Sequence, residues 1–297
     1  MKKLAVSPAK KFKLNHMKST NEIKDMVREK YGAIAAQENG DTSCCTSTAC
    51  CGDVTSVMAD NYAQLPGYVQ DADLGLGCGL PTEHAQIQEG DIVIDLGSGA
   101  GNDVFIARRL VGDRGKVIGI DFTEAMVDRA RRNNDKLGFN NVEFRLGEIE
   151  SMPVTSNLAN VIVSNCVLNL VPNKHQAFSE IFRVLKPGGH FSISDIVLEG
   201  ELPQSIKGVA EMYAGCVSGA IQQEEYLSII EEAGFRNVHI QKAKSIFIPD
   251  EVLAKYLSSG ELQDFKKKPG VIKSITVFAE KPAKDERNCC EPGNACC

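Results

Sequence analysis

The run Ile92-Val93-Ile94-Asp95-Leu96-Gly97-Ser98-Gly99-Ala100-Gly101 decides the architecture. A short apolar stretch bounded by Gly90-Asp91 on one side and a glycine loop on the other is the pattern of a parallel strand buried on both faces. A helix from Asn102 to about Leu110 follows directly, so strand, tight turn and helix succeed one another with no linker. Downstream, Lys116 to Asp121 reads as a second strand, and Thr123 caps a helix running through Ala125, Met126, Val127 and Ala130 to a stop at Gly138. Val142 to Leu146 and Ala159 to Asn165 supply a third and a fourth strand. A helix carrying Ala177, Ile181, Val184 and Leu185 ends at Pro187-Gly188-Gly189, after which His190 to Ser194 is a fifth strand. This alternation predicts an open α/β sheet with right-handed crossovers. Past Asp195 the regularity weakens: residues 200–235 read as helical, Val238 to Ile248 as extended, and Ile275 to Ala279 as a last strand.

Upstream, residues 1–75 read as an N-terminal arm around one helix, with Ser19 and Glu22 as a capping box and Ile23, Met26, Val27 and Ile34 at helical spacing. The expected organisation is this arm, a core over 76–199, helices and last strands over 200–281, and a tail over 282–297 without apolar periodicity. Lys+Arg 33 against Asp+Glu 39 gives a net charge of −6, which argues against a nucleic-acid surface. The first residues have positive charge but no apolar run after it, and no stretch approaches the roughly 20 apolar residues of a membrane span. A cytoplasmic protein with reduced thiols and no membrane partner is expected.

The unusual count is 11 Cys. Eight form adjacent pairs at 44-45, 50-51, 289-290 and 296-297, leaving Cys78, Cys166 and Cys216 single. An odd number without a leader does not suggest a disulfide scaffold. The three singletons lie far apart in sequence and form no local metal knuckle. By type alone, Cys166 and Cys216 would be small buried hydrophobes. His84, His175, His190 and His239 show no patterned carboxylate partner, so no general-base dyad is legible.

The glycine loop lets a ligand approach main-chain N–H groups at a helix N-terminus. Its G-x-G-x-G spacing departs from the dinucleotide fingerprint, although Asp121 sits where a ribose-binding acid should. Glu148 follows the third strand and Asn165-Cys166 ends the fourth, all at carboxyl ends of strands, where open sheets bind ligands. Residues 85–200 thereby resemble class I S-adenosylmethionine-dependent methyltransferases. The resemblance implies a doubly wound, mostly parallel seven-stranded Rossmann-like sheet. It implies that the loop at Asp95, Gly97, Ser98, Gly99 and Gly101 holds the methionine part of S-adenosylmethionine and that Asp121 binds the ribose hydroxyls. Gly147, Glu148 and Ile149 then border the adenine, with Met126 and Asn165 completing the set.

A closer likeness covers residues 60–280. Leu-Gly-Leu-Gly-Cys-Gly around Cys78, Ser-Asn-Cys-Val-Leu-Asn-Leu around Cys166 and Tyr-Ala-Gly-Cys-Val-Ser-Gly-Ala around Cys216 together resemble the arsenite S-adenosylmethionine methyltransferases. That family implies Cys166 and Cys216 as As(III) ligands, with Cys78 and an N-terminal cysteine, Cys50 or Cys51, as the other members of a four-cysteine set. Leu80 departs from the pattern, which has asparagine there. Arsenite or its thiol conjugates would be the substrate, thioredoxin or glutathione the reductant, and no tightly bound metal cofactor is expected. The paired clusters, the C-terminal one especially, are expected to gather a soft metalloid. The first alternative is a methyltransferase of a small carbon or oxygen substrate with a structural metal on the cysteines; another is a metalloid-sequestering protein.

Overall fold

The computed structural model describes residues 20–36, 60–207, 219–267 and 270–283. Seven strands, β1 (Ile92–Leu96), β2 (Lys116–Asp121), β3 (Val142–Leu146), β4 (Ala159–Asn165), β5 (Leu185–Leu198), β6 (Arg236–Ser245) and β7 (Ile272–Glu280), form one sheet in the order β3-β2-β1-β4-β5-β7-β6. β1 to β5 pair in parallel, and β7 runs antiparallel between β5 and β6. Helices of at least two turns are α1 (Thr20–Ala35), α2 (Asn102–Val111), α3 (Glu124–Leu137), α4 (Lys174–Val184), α5 (Gln223–Glu232) and α6 (Ser259–Lys266). The expected doubly wound, mostly parallel architecture is the one found.

The two-residue period of a strand divides the aliphatics between two layers. Val93, Val117, Val161 and Val163 pack with Val104, Phe105, Val127 and Ala130 of α2 and α3. Ile94, Ile118 and Ile162 face the other way, onto Phe178 and Ile181 of α4 and Tyr226 and Ile230 of α5. With β1 to β4 parallel, Leu96, Asp121, Leu146 and Asn165 end on one edge, the edge the glycine loop occupies.

Three local expectations are revised. β5 begins at Leu185, not His190: Leu185 pairs with Ala159 before a register shift, so the Pro-Gly-Gly sequence is an irregular strand entry. Thr123 holds the N-cap position, but its hydroxyl makes no capping bond; its N–H donates instead to Asp121 Oδ1 (2.8 Å). The helical reading of 200–235 holds for Gln204–Lys207 and α5 within the described residues. Ser19, Cys50, Cys51, Cys216 and the four cysteine pairs lie outside them.

On β5, Asp195 is buried and accepts from the Tyr226 hydroxyl (3.1 Å) and the Ile196 N–H (3.1 Å). Burial pushes its carboxyl up to about 7, against the pull of the Lys174 charge. A raised folded-state value means that the native chain holds a proton that the unfolded chain has released. Stability from this group is therefore greatest below about pH 4 and is lost as pH rises through about 7. Asp195→Asn mimics the protonated form, so its melting temperature should exceed the parent's by several degrees at pH 8, by less at pH 5, and converge with it below about pH 4. Thermal melts across that range check this; a difference independent of pH would contradict it.

Candidate active site

A cleft of about 1150 Å³, partly open to solvent, lies on the carboxyl edge. Asp95, Gly97, Ser98, Gly99, Asp121, Met126, Gly147, Glu148, Ile149, Asn165 and Cys166 all line it. Gly101 does not: it sits one step deeper as the N-cap of α2 with φ 101°. Cys78 is fully buried behind the wall, in the same apolar cluster as Cys166. Gly97 has φ 67°, and a Cβ there would collide with the Val167 side chain, so the turn excludes any side chain.

The polar wall is acidic. Asp121 Oδ2 accepts from the Gly99 N–H (3.0 Å) and Oδ1 from Thr123, which hold its buried carboxyl in place. Burial raises its proton affinity, and those N–H bonds offset part of the rise. Asp95 is raised well above the carboxylate range by burial and then by the charges of Asp103 and Asp121. Asp103, in the first turn of α2, is pushed to about 6 by burial, against hydrogen bonds from Tyr62, Asn165 and Thr82. Sequence reasoning missed Asp103, because an acid in a first helical turn already has a reason to be there. It missed Tyr62 and Lys24 as well, which come from the arm and carry no motif. Lys24 of α1 bridges Glu148 (2.8 Å) and Glu150 (3.0 Å) at the cleft rim.

These walls fit S-adenosylmethionine. Ser98 Oγ and Asn102 Oδ1 are buried at the cleft without a hydrogen-bond partner, which leaves them for a polar ligand. A Cβ on Gly99 would meet nothing within 4 Å, so the loop faces open space. Three buried carboxyls, of which Asp103 and Asp121 raise the proton affinity of Asp95, are relieved by a cation, and the donor carries a sulfonium and an ammonium.

Cys166 follows the last residue of β4 with φ 61°, a left-handed backbone that non-glycine residues rarely adopt. Its N–H donates to Ser194 O at 2.7 Å, which holds the turn on β5. Strain of this kind concentrates where function demands it. Cys166 and Cys78 are both buried thiols. None of His84, His175, His190 or His239 lines the cleft. His84 and His175 do have carboxylate neighbours, Glu83 at 3.8 Å and Glu232 at 3.7 Å, but away from it. Leu80, the departure from the expected asparagine, packs with Tyr62 and Ile106 in a small apolar cluster.

Residues 87–234 match a family model described as a methyltransferase domain. An arsenite methyltransferase of Halobacterium salinarum is 37% identical over 281 residues, covering 89% of this chain and 68% of that enzyme. The chain belongs to the arsenite methyltransferase family. The mouse arsenite methyltransferase is 31% identical over 246 residues, 80% of this chain and 64% of the mouse protein. The crystal structure of an arsenic(III) S-adenosylmethionine methyltransferase from Chlamydomonas reinhardtii superposes with a TM-score of 0.57 at 29% identity, over 82% of this chain and 75% of that one. Against these family members the chain is the shorter partner, spanning about two thirds of the first two curated relatives. Family membership makes S-adenosylmethionine the methyl donor, and the cleft is where its chemistry fits. Among the described residues no helix is long and apolar enough to cross a membrane.

Proposed function

We infer that the protein transfers methyl groups from S-adenosylmethionine to trivalent arsenic carried on cysteine thiols. The observation that carries this reading is Cys166, a thiol on strained backbone set into the wall of the donor cleft. When bound, the donor supplies a sulfonium methyl group. Asp121 accepts the ribose hydroxyls, Met126, Glu148 and Ile149 border the adenine, and Gly97 to Gly99 with Asp95 receive the methionine end.

Arsenite, or its thiol conjugate, is the substrate. As(III) is soft, so thiolates are its preferred protein ligands, and Cys166 with Cys216 and Cys78 would replace its hydroxides. The arsenic lone pair bears no proton, so attack on the methyl needs no general base, consistent with a cleft that no histidine among the described residues lines. The residues' task is proximity and alignment. Methyl transfer formally takes arsenic from III to V. Two thiols return two electrons by closing a disulfide, and we assign Cys78 with Cys50 or Cys51 to that step. Thioredoxin or glutathione then reopens it by exchange. That cycle suits a reducing compartment such as the cytoplasm, to which we assign the protein.

Arsenite-dependent release of S-adenosylhomocysteine is the test. It should rise with arsenite and saturate; release that ignores arsenite would overturn the reading. In the absence of any thiol reductant, product should stop at about one methyl per protein, and thioredoxin or glutathione should restore many rounds. Equal multi-round rates without reductant would contradict the disulfide step. A carbon or oxygen methyltransferase with a structural metal is not favoured, since the relatives that define this family are arsenite enzymes.

A further inference from the structure

Asn165, next to Cys166, is the hub of a hydrogen-bond cluster at the cleft wall. Its Oδ1 accepts the N–H of Cys78 (2.9 Å) and of Gly79 (3.3 Å), and its Nδ2 donates to Gly79 O (2.8 Å). The same Nδ2 contacts the Tyr62 hydroxyl and lies 3.4 Å from Asp103 Oδ2. The Tyr62 hydroxyl is in turn 2.9 Å from Asp103 Oδ2 and 3.1 Å from Gly79 O. Asp103 Oδ1 accepts from Thr82 (3.3 Å). Tyr62 and Asp103 are 4% and 7% exposed, so the bonds among Tyr62, Asp103, Thr82 and Gly79 O are out of competition with water, while those of Asn165 are partly buried at the cleft wall.

Donor and acceptor types make the cluster directional. Asn165 Oδ1 meets only N–H groups and Nδ2 meets only oxygens; a flipped amide would set donor against donor and acceptor against acceptor. The loop has no slack either: a Cβ on Gly77 would sit 2.6 Å from Asn165 Nδ2, and one on Gly79 2.5 Å from Ser194 Oγ. We propose that Tyr62 and Asp103 are positioning residues: they brace the Asn165 amide, which holds the Cys78 loop on the strand end that carries Cys166. The two thiols then keep one relative geometry, because a single side chain contacts the loop of one and adjoins the other. Since Tyr62, Asp103 and Asn165 also line the donor cleft, the same cluster links that cleft to the cysteines. The consequence for catalysis rests on the reading in which Cys78 acts with Cys166; the bracing itself does not.

Hydrogen exchange of the ligand-free full-length protein tests the brace. In Tyr62→Phe, which deletes one oxygen, the peptide containing Cys78 and Gly79 should exchange about tenfold faster while peptides of β1 and β4 keep the parent's rate. Asp103→Asn should do the same; if it does not fold, Tyr62→Phe alone decides. Unchanged exchange at Cys78-Gly79, or acceleration spread evenly over the sheet, would overturn the proposal. In single turnover with saturating donor, which needs no disulfide step, Tyr62→Phe should raise the arsenite concentration for half-maximal rate about tenfold and keep the saturating rate within a few-fold. A loss confined to the saturating rate would overturn the positioning role. A parent that forms no methylated arsenic would refute the functional reading and leave the exchange result to judge the brace.

Discussion

Cys166→Ser should lose methylarsenical formation by about 10³-fold or more in kcat/KM, equivalent to about 4 kcal/mol of transition-state stabilisation. The two side chains are nearly isosteric, so the 4% exposed position should stay packed and the N–H bond to Ser194 should persist. What changes is softness. A hydroxyl is a poor ligand for As(III) and has too high a proton affinity to displace hydroxide from it, whereas a thiol does both. Binding of S-adenosylhomocysteine should be unaltered, since the ribose and adenine walls belong to other residues. Titration calorimetry of that ligand beside the activity assay separates loss of the arsenic site from loss of fold. A variant retaining a tenth of parent activity would remove Cys166 from the ligand set.

Asp121→Ala should raise KM for S-adenosylmethionine about 100-fold, with kcat at saturating donor within a few-fold of the parent. Two hydrogen bonds from ribose hydroxyls to a buried carboxylate are worth about 3 kcal/mol or more together, which sets that scale. Removing the carboxylate also strips the acceptor from the Gly99 and Thr123 N–H groups, so the glycine loop loses one anchor to β2 and keeps the bonds from Gly97 and Ser98 to Ile120 O. S-adenosylhomocysteine has the same ribose, so its inhibition constant should rise in parallel. KM for arsenite should not follow. Steady-state kinetics varying each substrate in turn checks this. A KM shift confined to arsenite would show that Asp121 serves the acceptor and not the donor.

The frame of the molecule was readable because its strands are short, apolar and cut off by glycine. β1, β2 and β4 follow the aliphatic runs Ile92–Ile94, Val117–Ile120 and Val161–Val163, since a strand buried on both faces is mostly apolar until its carboxyl end, whereas β3, at the sheet edge, alternates with Glu143 and Arg145. The start of β5 was not readable. Pro187-Gly188-Gly189 carries turn chemistry, and only pairing of Leu185 with Ala159 across the sheet keeps it extended. Thr123 illustrates the same limit: it has the right residue type for a cap, yet the N-terminus of α3 is served by Asp121, a strand residue.

At the site, the residues fixed by local motif were found, and those fixed by tertiary contact were not. The glycine loop, Asp121, Glu148 and Cys166 each stand at the end of a legible strand. Tyr62 and Asp103 become neighbours only when the arm folds against α2, and Lys24 meets Glu148 across 124 residues. The sequence also placed Cys78 in a glycine-flanked loop without revealing that this loop is fastened to Asn165. Burial and hydrogen bonding carry that information, and neither has a local signature.

The account turns on arsenic being the methyl acceptor. The most direct measurement supplies S-adenosylmethionine bearing a deuterated methyl group together with arsenite and a thiol reductant, and follows the label by chromatography with arsenic-specific detection and mass spectrometry. The predicted result is a trideuteromethyl group on arsenic, formed in proportion to S-adenosylhomocysteine and absent from Cys166→Ser. Release of S-adenosylhomocysteine with no label on arsenic, or labelled arsenic formed equally well by Cys166→Ser, would contradict it.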